Sequence, residues 1–112
     1  MQRMISFKLY FGRSSDKLGY ITNDEFFNFI SRSDEILPDG FTITTGQGMW
    51  KSKPETTSIL EVIVDESETF RVEDSLTEIA EAYNQGMCQE CTLLTKTAVE
   101  AAFITEHPPK VG

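Results

Sequence analysis

The stretch that decides the fold is residues 56–64, which read TTSILEVIV. Branched and aliphatic side chains in such a run favour an extended strand over a helix. Side chains alternate between the two faces of a strand, so the even positions share one face and the odd positions the other. The faces carry Leu60, Val62 and Val64 on one side and Ile59, Glu61 and Ile63 on the other. The run therefore predicts a strand with one fully apolar face and one that is apolar except for Glu61.

Four more strands are predicted around this one. Residues 4–11 alternate in the same way, and residues 41–50 alternate after the Pro-Asp-Gly turn at 38–40. Two short strands are predicted later in the chain, at 92–95 and 101–104. The chain therefore contains enough strands for one small sheet.

Two amphipathic helices are predicted from capping boxes, in which a Ser or Thr and a Glu three residues later satisfy the first helical turn. Thr22 and Glu25 begin a helix over about 23–31, and Ser75 and Glu78 begin a second helix. The order strand, helix, strand, strand, helix, strand is that of ferredoxin-like domains. We therefore predict an α+β fold, ferredoxin-like or PII-like, with an antiparallel sheet, two helices on one face and a short extra C-terminal strand.

One domain is expected over residues 1–106, with 107–112 as a flexible C-terminal tail. Two helices cover only one face of a sheet, and Ile59 and Ile63 on the other face are too apolar for water. A homo-oligomer is therefore predicted, and the alternative is an open face that Glu61 keeps solvated.

Composition excludes several classes of protein. The chain has 112 residues, with 10 Lys and Arg against 18 Asp and Glu, and a net charge of −8. Such a charge repels nucleic-acid phosphates, no apolar run approaches the roughly 20 residues of a membrane helix, and no secretion signal begins the chain. We expect a cytoplasmic protein, of the host cell if a phage encodes it, that binds neither nucleic acid nor membrane.

The cysteines and the single histidine do not predict a metal, redox or triad site. Cys88 and Cys91 have a ligand-like spacing, but zinc needs four ligands and His107 lies in the tail. A redox pair of the thioredoxin type would precede a helix, whereas this pair follows one. We interpret both cysteines as small side chains near a strand start, and we expect no metal and no cofactor.

Two polar regions at strand ends predict a small-ligand cleft. Residues 13–15 offer a guanidinium, two hydroxyls and loop amides to a carboxylate or phosphate. Residues 47–50 and Glu55 offer close backbone approach, a flat π surface and a carboxylate. Each region alone could be structural, but together, beside an oligomer interface, they favour a cleft. The candidate ligand residues are Arg13, Ser14, Ser15, Gln47, Gly48, Trp50 and Glu55.

Four spaced motifs resemble an uncharacterised bacterial family of small α+β proteins. They are LYFGRS at 9–14, PDG at 38–40, GQGMW at 46–50 and Glu55 ahead of an aliphatic strand. The resemblance covers most of the chain and implies this fold, but it brings no activity.

The carboxy-terminal half is similar, more distantly, to the phage enzymes that degrade S-adenosylmethionine (SAM), the SAM lyases. The similar features are a helix, residues 89–91, the strand 92–94 with Lys96, and a last short strand ending near Ile104. The resemblance implies a homotrimer that holds the sulfonium ligand between subunits, with an aromatic side chain near the end of the second strand and a glutamate on the third.

Carried onto this sequence, the resemblance implies particular site residues. Trp50 stands where the lyases have tyrosine, so it can stack or donate but cannot shuttle a proton. The glutamate is Glu55 by its place ahead of the strand, which we prefer as the catalytic residue, or Glu61 by its spacing. Lys96 is a further ligand contact. The implied activity is cleavage of SAM to methylthioadenosine and homoserine lactone, with an anti-restriction role.

Two other functions stay open. The cleft could bind a nucleotide or metabolite without turnover, to sequester or sense it. An acidic surface could instead dock a basic partner, although such a cluster is also typical of a solvated helix face. Its members are Asp65, Glu66, Glu68, Glu73, Asp74, Glu78 and Glu81.

Overall fold

The computed structural model describes residues 1–106 and builds them around one four-stranded sheet. The elements in chain order are β1 (Gln2–Gly12), β2 (Ser14–Ser15), β3 (Gly19–Tyr20), α1 (Asn23–Arg32), β4 (Thr42–Trp50), β5 (Lys53–Asp65), α2 (Thr69–Gly86) and β6 (Leu93–Ala101). A single 3₁₀ turn, Glu66–Glu68, precedes α2. The short strands β2 and β3 pair only with each other.

The sheet order is β4-β5-β1-β6, and each neighbouring pair is antiparallel. β1 pairs with β5 from Met4 opposite Asp65 to Gly12 opposite Thr57. This is the ferredoxin-like arrangement, in which the two half-domains interleave their strands. The predicted α+β fold, with an antiparallel sheet and two helices on one face, is confirmed.

Strand alternation places the core between the sheet and the helices. The odd residues of β1 and the even residues of β5 turn their side chains to the helices, and each fully buried Leu or Phe contributes about 1.5–3 kcal/mol of hydrophobic stabilisation. The buried side chains are Phe7, Leu9, Phe11, Leu60 and Val62 from the sheet, Phe26, Phe29 and Ile30 from α1, and Val72, Leu76, Ile79 and Tyr83 from α2.

The capping boxes have different outcomes. Thr22 Oγ1 accepts from the Glu25 amide at 3.1 Å and the Glu25 carboxylate accepts from the Thr22 amide at 3.1 Å, so the first box caps α1 as predicted. The second prediction is wrong, because α2 begins at Thr69 and Ser75 lies inside it. Fully buried Val72 lies one turn before Leu76, so the apolar stripe and the helix extend toward the amino terminus.

The two predicted short C-terminal strands are one strand, β6, which pairs with β1 from Ala101 opposite Gln2 to Leu93 opposite Tyr10. The expected turn near 97–100 contains neither Gly nor Pro, and pairing with β1 satisfies its backbone in extended form. Phe103 and Ile104 follow β6 outside any strand and are exposed. The prediction of an extra C-terminal strand is therefore wrong within the described residues, because one strand, β6, takes the place of two. The predicted tail at 107–112, which includes His107, lies outside the described residues.

The β4–β5 hairpin turns through only Lys51 and Ser52, since Trp50 pairs with Lys53. Both turn residues have positive φ, 49° and 63°, as a type I′ turn requires. Neither is the Asn or Gly that usually marks such a turn, so the sequence carries no signal for it.

The face of the sheet away from the helices, here called the open face, carries the side chains that alternate with the core. Ile63 on it is 42% exposed, Ile59 and Tyr10 are half-buried, and Leu93 is 58% exposed. No helix within residues 1–106 has the length and apolarity to cross a membrane.

Candidate functional site

Three glycines lie close together on the open face where the β4–β5 hairpin meets the end of β1. Gly48 lies opposite Glu55 and Gly46 opposite Thr57 across the hairpin, and Gly12 lies opposite Thr57 on the other side. None of the three has a side chain, and the group is here called the glycine trough: at Gly46 the backbone is open, whereas the side chains of Glu55 and Thr57 lie against Gly12 and Gly48.

Two acceptor oxygens converge over Gly12 at the edge of the trough. A Cβ on residue 12 would collide with the Oε1 of Glu55 and would lie 2.8 Å from the Oε1 of Gln89. The amide nitrogen of Gln89 donates to the Ser14 carbonyl at 2.8 Å and to the Met87 carbonyl at 3.2 Å, which turns its oxygen toward Glu55. An ammonium or hydroxyl donor from a ligand matches this pair of acceptors.

Partial burial raises the pKa of Glu55, and the Ser14 backbone amide opposes that shift by donating to the carboxylate. Glu55 makes no ion pair with any residue that the structure describes. A partly desolvated carboxylate of this kind gains stability when a cation arrives, which is a property of binding sites.

We expect Gly12→Ala to return the pKa of Glu55 toward its ordinary value, because the new Cβ pushes the carboxylate away from Gln89 and into water. The pKa is measured from the pH dependence of the Glu55 side-chain carbon shift by NMR. Gly40→Ala is the matched control, since its Cβ would meet nothing within 4 Å. An unchanged Glu55 pKa in Gly12→Ala would show that the carboxylate does not depend on the missing side chain.

Tyr83 of α2 supports the trough from below. Its hydroxyl donates to the Gly12 carbonyl, and its ring packs edge-on against Phe11 at 4.7 Å and Phe29 at 5.2 Å between centroids. Burial raises the pKa of Tyr83 far above its ordinary value, so the hydroxyl keeps its proton and remains a donor. Tyr83 lies three and four residues after Ala80 and Ile79 on the apolar stripe of α2, and its buried hydroxyl needs a hydrogen-bond partner, which the Gly12 carbonyl supplies.

The side chain of Arg13 is buried in the protein interior, whereas the predicted ligand contact requires it to be exposed in the cleft. Its side chain is fully buried and donates to the Ile21 carbonyl, the Ser58 hydroxyl and the Asn23 side-chain oxygen, each at 2.9 Å. The guanidinium also lies 4.9 Å from the centre of the Phe26 ring. In this arrangement it holds the β2–β3 ribbon and the start of α1 against β5, and it offers nothing to a ligand in the trough.

The other residues of the first predicted region act locally. Ser14 contributes its backbone amide and carbonyl to Glu55 and Gln89, not its hydroxyl. The Ser15 hydroxyl accepts from the amides of Lys17 and Leu18, both at 3.1 Å, and so closes a surface turn.

Trp50 shares the open face with Gly48 and Glu55, because these residues alternate or pair across the hairpin. Its side chain is 48% exposed, and its ring centre lies 5.9 Å from the Lys51 ammonium. The structure thus brings together an exposed indole, Gly48 and the Glu55 carboxylate.

Three predicted ligand residues lie elsewhere. Lys96 is opposite Phe7 on the helix-covered face, where it pairs with Glu73 of α2 at 2.9 Å. The Gln47 amide points to that same side of the sheet and donates to Thr56 at 3.3 Å. Glu61 is in the middle of the open face and accepts from Ser6 at 2.7 Å. Strand alternation separates the first two from Glu55, and distance along β5 separates the third.

Cys88 and Cys91 are both free and exposed, and they lie in the loop just before the start of β6. Over the described range, 1–106, no group of three or more His, Cys, Asp or Glu side chains is arranged to hold a metal ion.

Comparison with known proteins gives a family and a shared fold. Residues 6–103 match a family described as "Protein of unknown function (DUF3574)", and no curated protein matches the chain. One similar solved structure is a phage SAM lyase in complex with S-methyl-5′-thioadenosine, with 16% identity, coverage of 91% of this chain and 93% of that chain, and a TM-score of 0.57. A phage SAM lyase in the apo state has 14% identity, coverage of 90% and 92%, and a TM-score of 0.50. At such identities the likeness establishes the fold, while function depends on the site.

Proposed function

Since the chain belongs to the DUF3574 family, whose description names no function, we propose an activity from its fold and its site. We propose that it is a lyase of the phage SAM lyase type, which cleaves SAM to methylthioadenosine and homoserine lactone. The observation that carries the proposal is the convergence of the Glu55 and Gln89 oxygens over Gly12, beside an exposed indole. The shared fold with two phage SAM lyases supports it.

The proposed reaction needs positioning more than acid or base chemistry. A carboxylate oxygen of SAM attacks its own γ-carbon, the bond from that carbon to sulfur breaks, and the sulfur keeps the electron pair. The products are neutral methylthioadenosine and a lactone that retains its ammonium, so charge balances without proton transfer. Holding the chain folded for this attack supplies most of the acceleration in such intramolecular reactions.

The site residues divide this task by their chemistry. Glu55 and Gln89 accept hydrogen bonds from the ligand ammonium, which anchors the amino-acid end next to the glycine trough. Trp50 offers its ring to the sulfonium or the adenine. Arg13 does not contact the ligand and instead holds the strand end that presents Gly12.

We propose a homo-oligomer, a trimer as in the resemblance, in which a neighbouring subunit covers the open face and closes the trough. Exposed Ile63 and Leu93 on that face support an apolar contact. The proposed setting is the cytoplasm of the host cell, where removal of SAM would serve an anti-restriction role.

Binding without turnover is the second candidate, because the one guanidinium expected to orient the ligand carboxylate is buried. A trough lined by acceptors can hold a nucleoside or an amine without driving its cleavage.

The deciding experiment incubates the purified full chain with SAM and follows methylthioadenosine and homoserine lactone by mass spectrometry. Heat-denatured protein is the control. Enzyme-dependent formation of both products is the expected result. Retained SAM that denaturation releases intact would establish the binding candidate instead, and SAM that is neither cleaved nor retained would exclude both candidates for SAM as the ligand.

A further inference from the structure

The strand β4 has an unusual free edge. Among the described elements it pairs only with β5, so its outer backbone groups have no strand partner. Its nine residues, TITTGQGMW, include no charge and no proline. Natural edge strands are normally protected by charges, proline or short length, and the opposite edge, β6, carries Lys96 and Glu100. The β4 edge therefore has the features of a strand that pairs with another chain.

An apolar groove of about 370 Å³ runs beside this edge on the helix side. It is lined by Phe27, Ile30, Ser31, Asp34, Phe41 and Ile43. Phe27 is 47% exposed and packs edge-on against Phe26, with 5.5 Å between the ring centroids. A partner strand on β4 would place alternate side chains above this groove.

We propose that the partner is a second copy of this chain, paired through β4 in antiparallel register about Gly46. Gly46 is the central residue of Thr42–Trp50, so pairing along the whole strand places Ile43 opposite the partner's Met49. Met49 is 67% exposed and lies on the same face as Ile43. Each Met49 then enters the groove of the other copy, and the two-fold symmetry makes this contact twice.

Charge limits where a second copy can approach this chain. The chain carries a net charge of −8, so contacts through most of its surface repel a like molecule. The β4 edge is uncharged along its length, which lets two acidic copies meet without opposing carboxylates in the ladder.

This interface is distinct from the open face and does not depend on the proposed activity. Pairing through β4 is two-fold, so the number of chains in the assembly is even. If the open face also forms a trimer, the two interfaces together give a hexamer.

The first test is cysteine crosslinking in a background with Cys88→Ser and Cys91→Ser. Gly46→Cys faces itself across the two-fold axis, at about the 4.5–5.5 Å of antiparallel Cα partners, which suits a disulfide. Nothing lies within 4 Å of a Cβ at residue 46, so the change is tolerated. Thr42→Cys is the matched control. In this register residue 42 lies opposite residue 50 of the other copy, so its cysteine is eight residues along the strand from the other copy's cysteine. We expect rapid covalent dimers from Gly46→Cys alone, and equal crosslinking of both variants would overturn the register.

The second test is the mass of the assembly by native mass spectrometry for the wild-type full chain and two variants. Met49→Glu places a carboxylate in the partner's groove beside Asp34, so the number of chains should fall twofold. Phe70→Glu makes the same chemical change at a side chain that is 85% exposed on α2 and should leave the mass unchanged. An odd-numbered wild-type assembly, or a mass that Met49→Glu does not halve, would refute pairing through β4.

Discussion

Replacing Arg13 with lysine is expected to lower the free energy of unfolding by about 3 kcal/mol or more. The guanidinium is fully buried and satisfies three acceptors from two parts of the chain, Ile21 and Asn23 at the start of α1 and Ser58 of β5. A lysine ammonium is a single point and cannot reach all three, so acceptors and a charge are left buried without partners. Urea unfolding at one fixed protein concentration measures the loss.

Arg71→Lys is the matched control for this prediction. Arg71 is exposed and pairs with Glu68 three residues earlier at 2.6 Å, an ion pair that lysine can replace. Exposed pairs of this kind contribute about 0–1 kcal/mol, so the control should change stability little. If both variants lower the free energy of unfolding by a similar small amount, the Arg13 guanidinium does not hold the β2–β3 ribbon and α1 against β5.

Glu55→Gln should abolish most SAM cleavage while the protein stays folded. Glutamine keeps the size and one acceptor of the side chain but loses the negative charge that attracts the ligand ammonium. Loss of such positioning is expected to lower turnover about a hundredfold. Product formation is followed with the wild type and with Glu35→Gln, which removes an exposed carboxylate on the surface. Full turnover by Glu55→Gln would remove Glu55 from the mechanism.

The stability of Glu55→Gln has a pH dependence of defined sign. Because burial raises the pKa of Glu55 in the folded state, folding binds protons, and the wild type loses stability as the pH rises through the raised folded pKa. Glutamine does not titrate, so residue 55 of the variant makes no pH-dependent contribution to stability. The variant should therefore be at least as stable as the wild type above the raised folded pKa of Glu55, and this difference should vanish below about pH 4, near the unfolded value for Glu. A variant that is less stable at pH 7 would point to a structural role for the carboxylate.

Periodicity alone determined the main architecture of this protein. The alternation in residues 56–64 identified the buried and open faces of β5, and the Thr22 and Glu25 pair located the start of α1. These features depend on contacts within a few residues, which a sequence displays directly. The sequence grouped Gln47, Gly48, Trp50 and Glu55 only as one polar region, and it was the pairing of β4 with β5 that brought Trp50, Gly48 and Glu55 to one face of a hairpin.

Local sequence patterns predicted other elements wrongly, because contacts with residues distant in sequence determine the conformation of those segments. The segment 97–100 resembles a connection between two strands, yet pairing with β1 keeps it extended. Ser75 and Glu78 have the spacing of a helix start, but burial of Val72 extends the helix beyond them. In both cases tertiary contacts contribute more free energy than the local preference.

The sequence by itself determined the central strands, the covered face of the sheet and the acidic character of the chain. Only the tertiary structure decided which polar groups are available for chemistry. Arg13 and Glu55 both appeared as ligand residues, but the first is buried among acceptors on Ile21 and Asn23, before and at the start of α1, and on Ser58 of β5. The second stays beside Gln89, 34 positions later in the chain, because Gly12 has no side chain to separate them. A buried cation and an accessible carboxylate differ in the partners that surround them in space, and those partners are set by the whole fold.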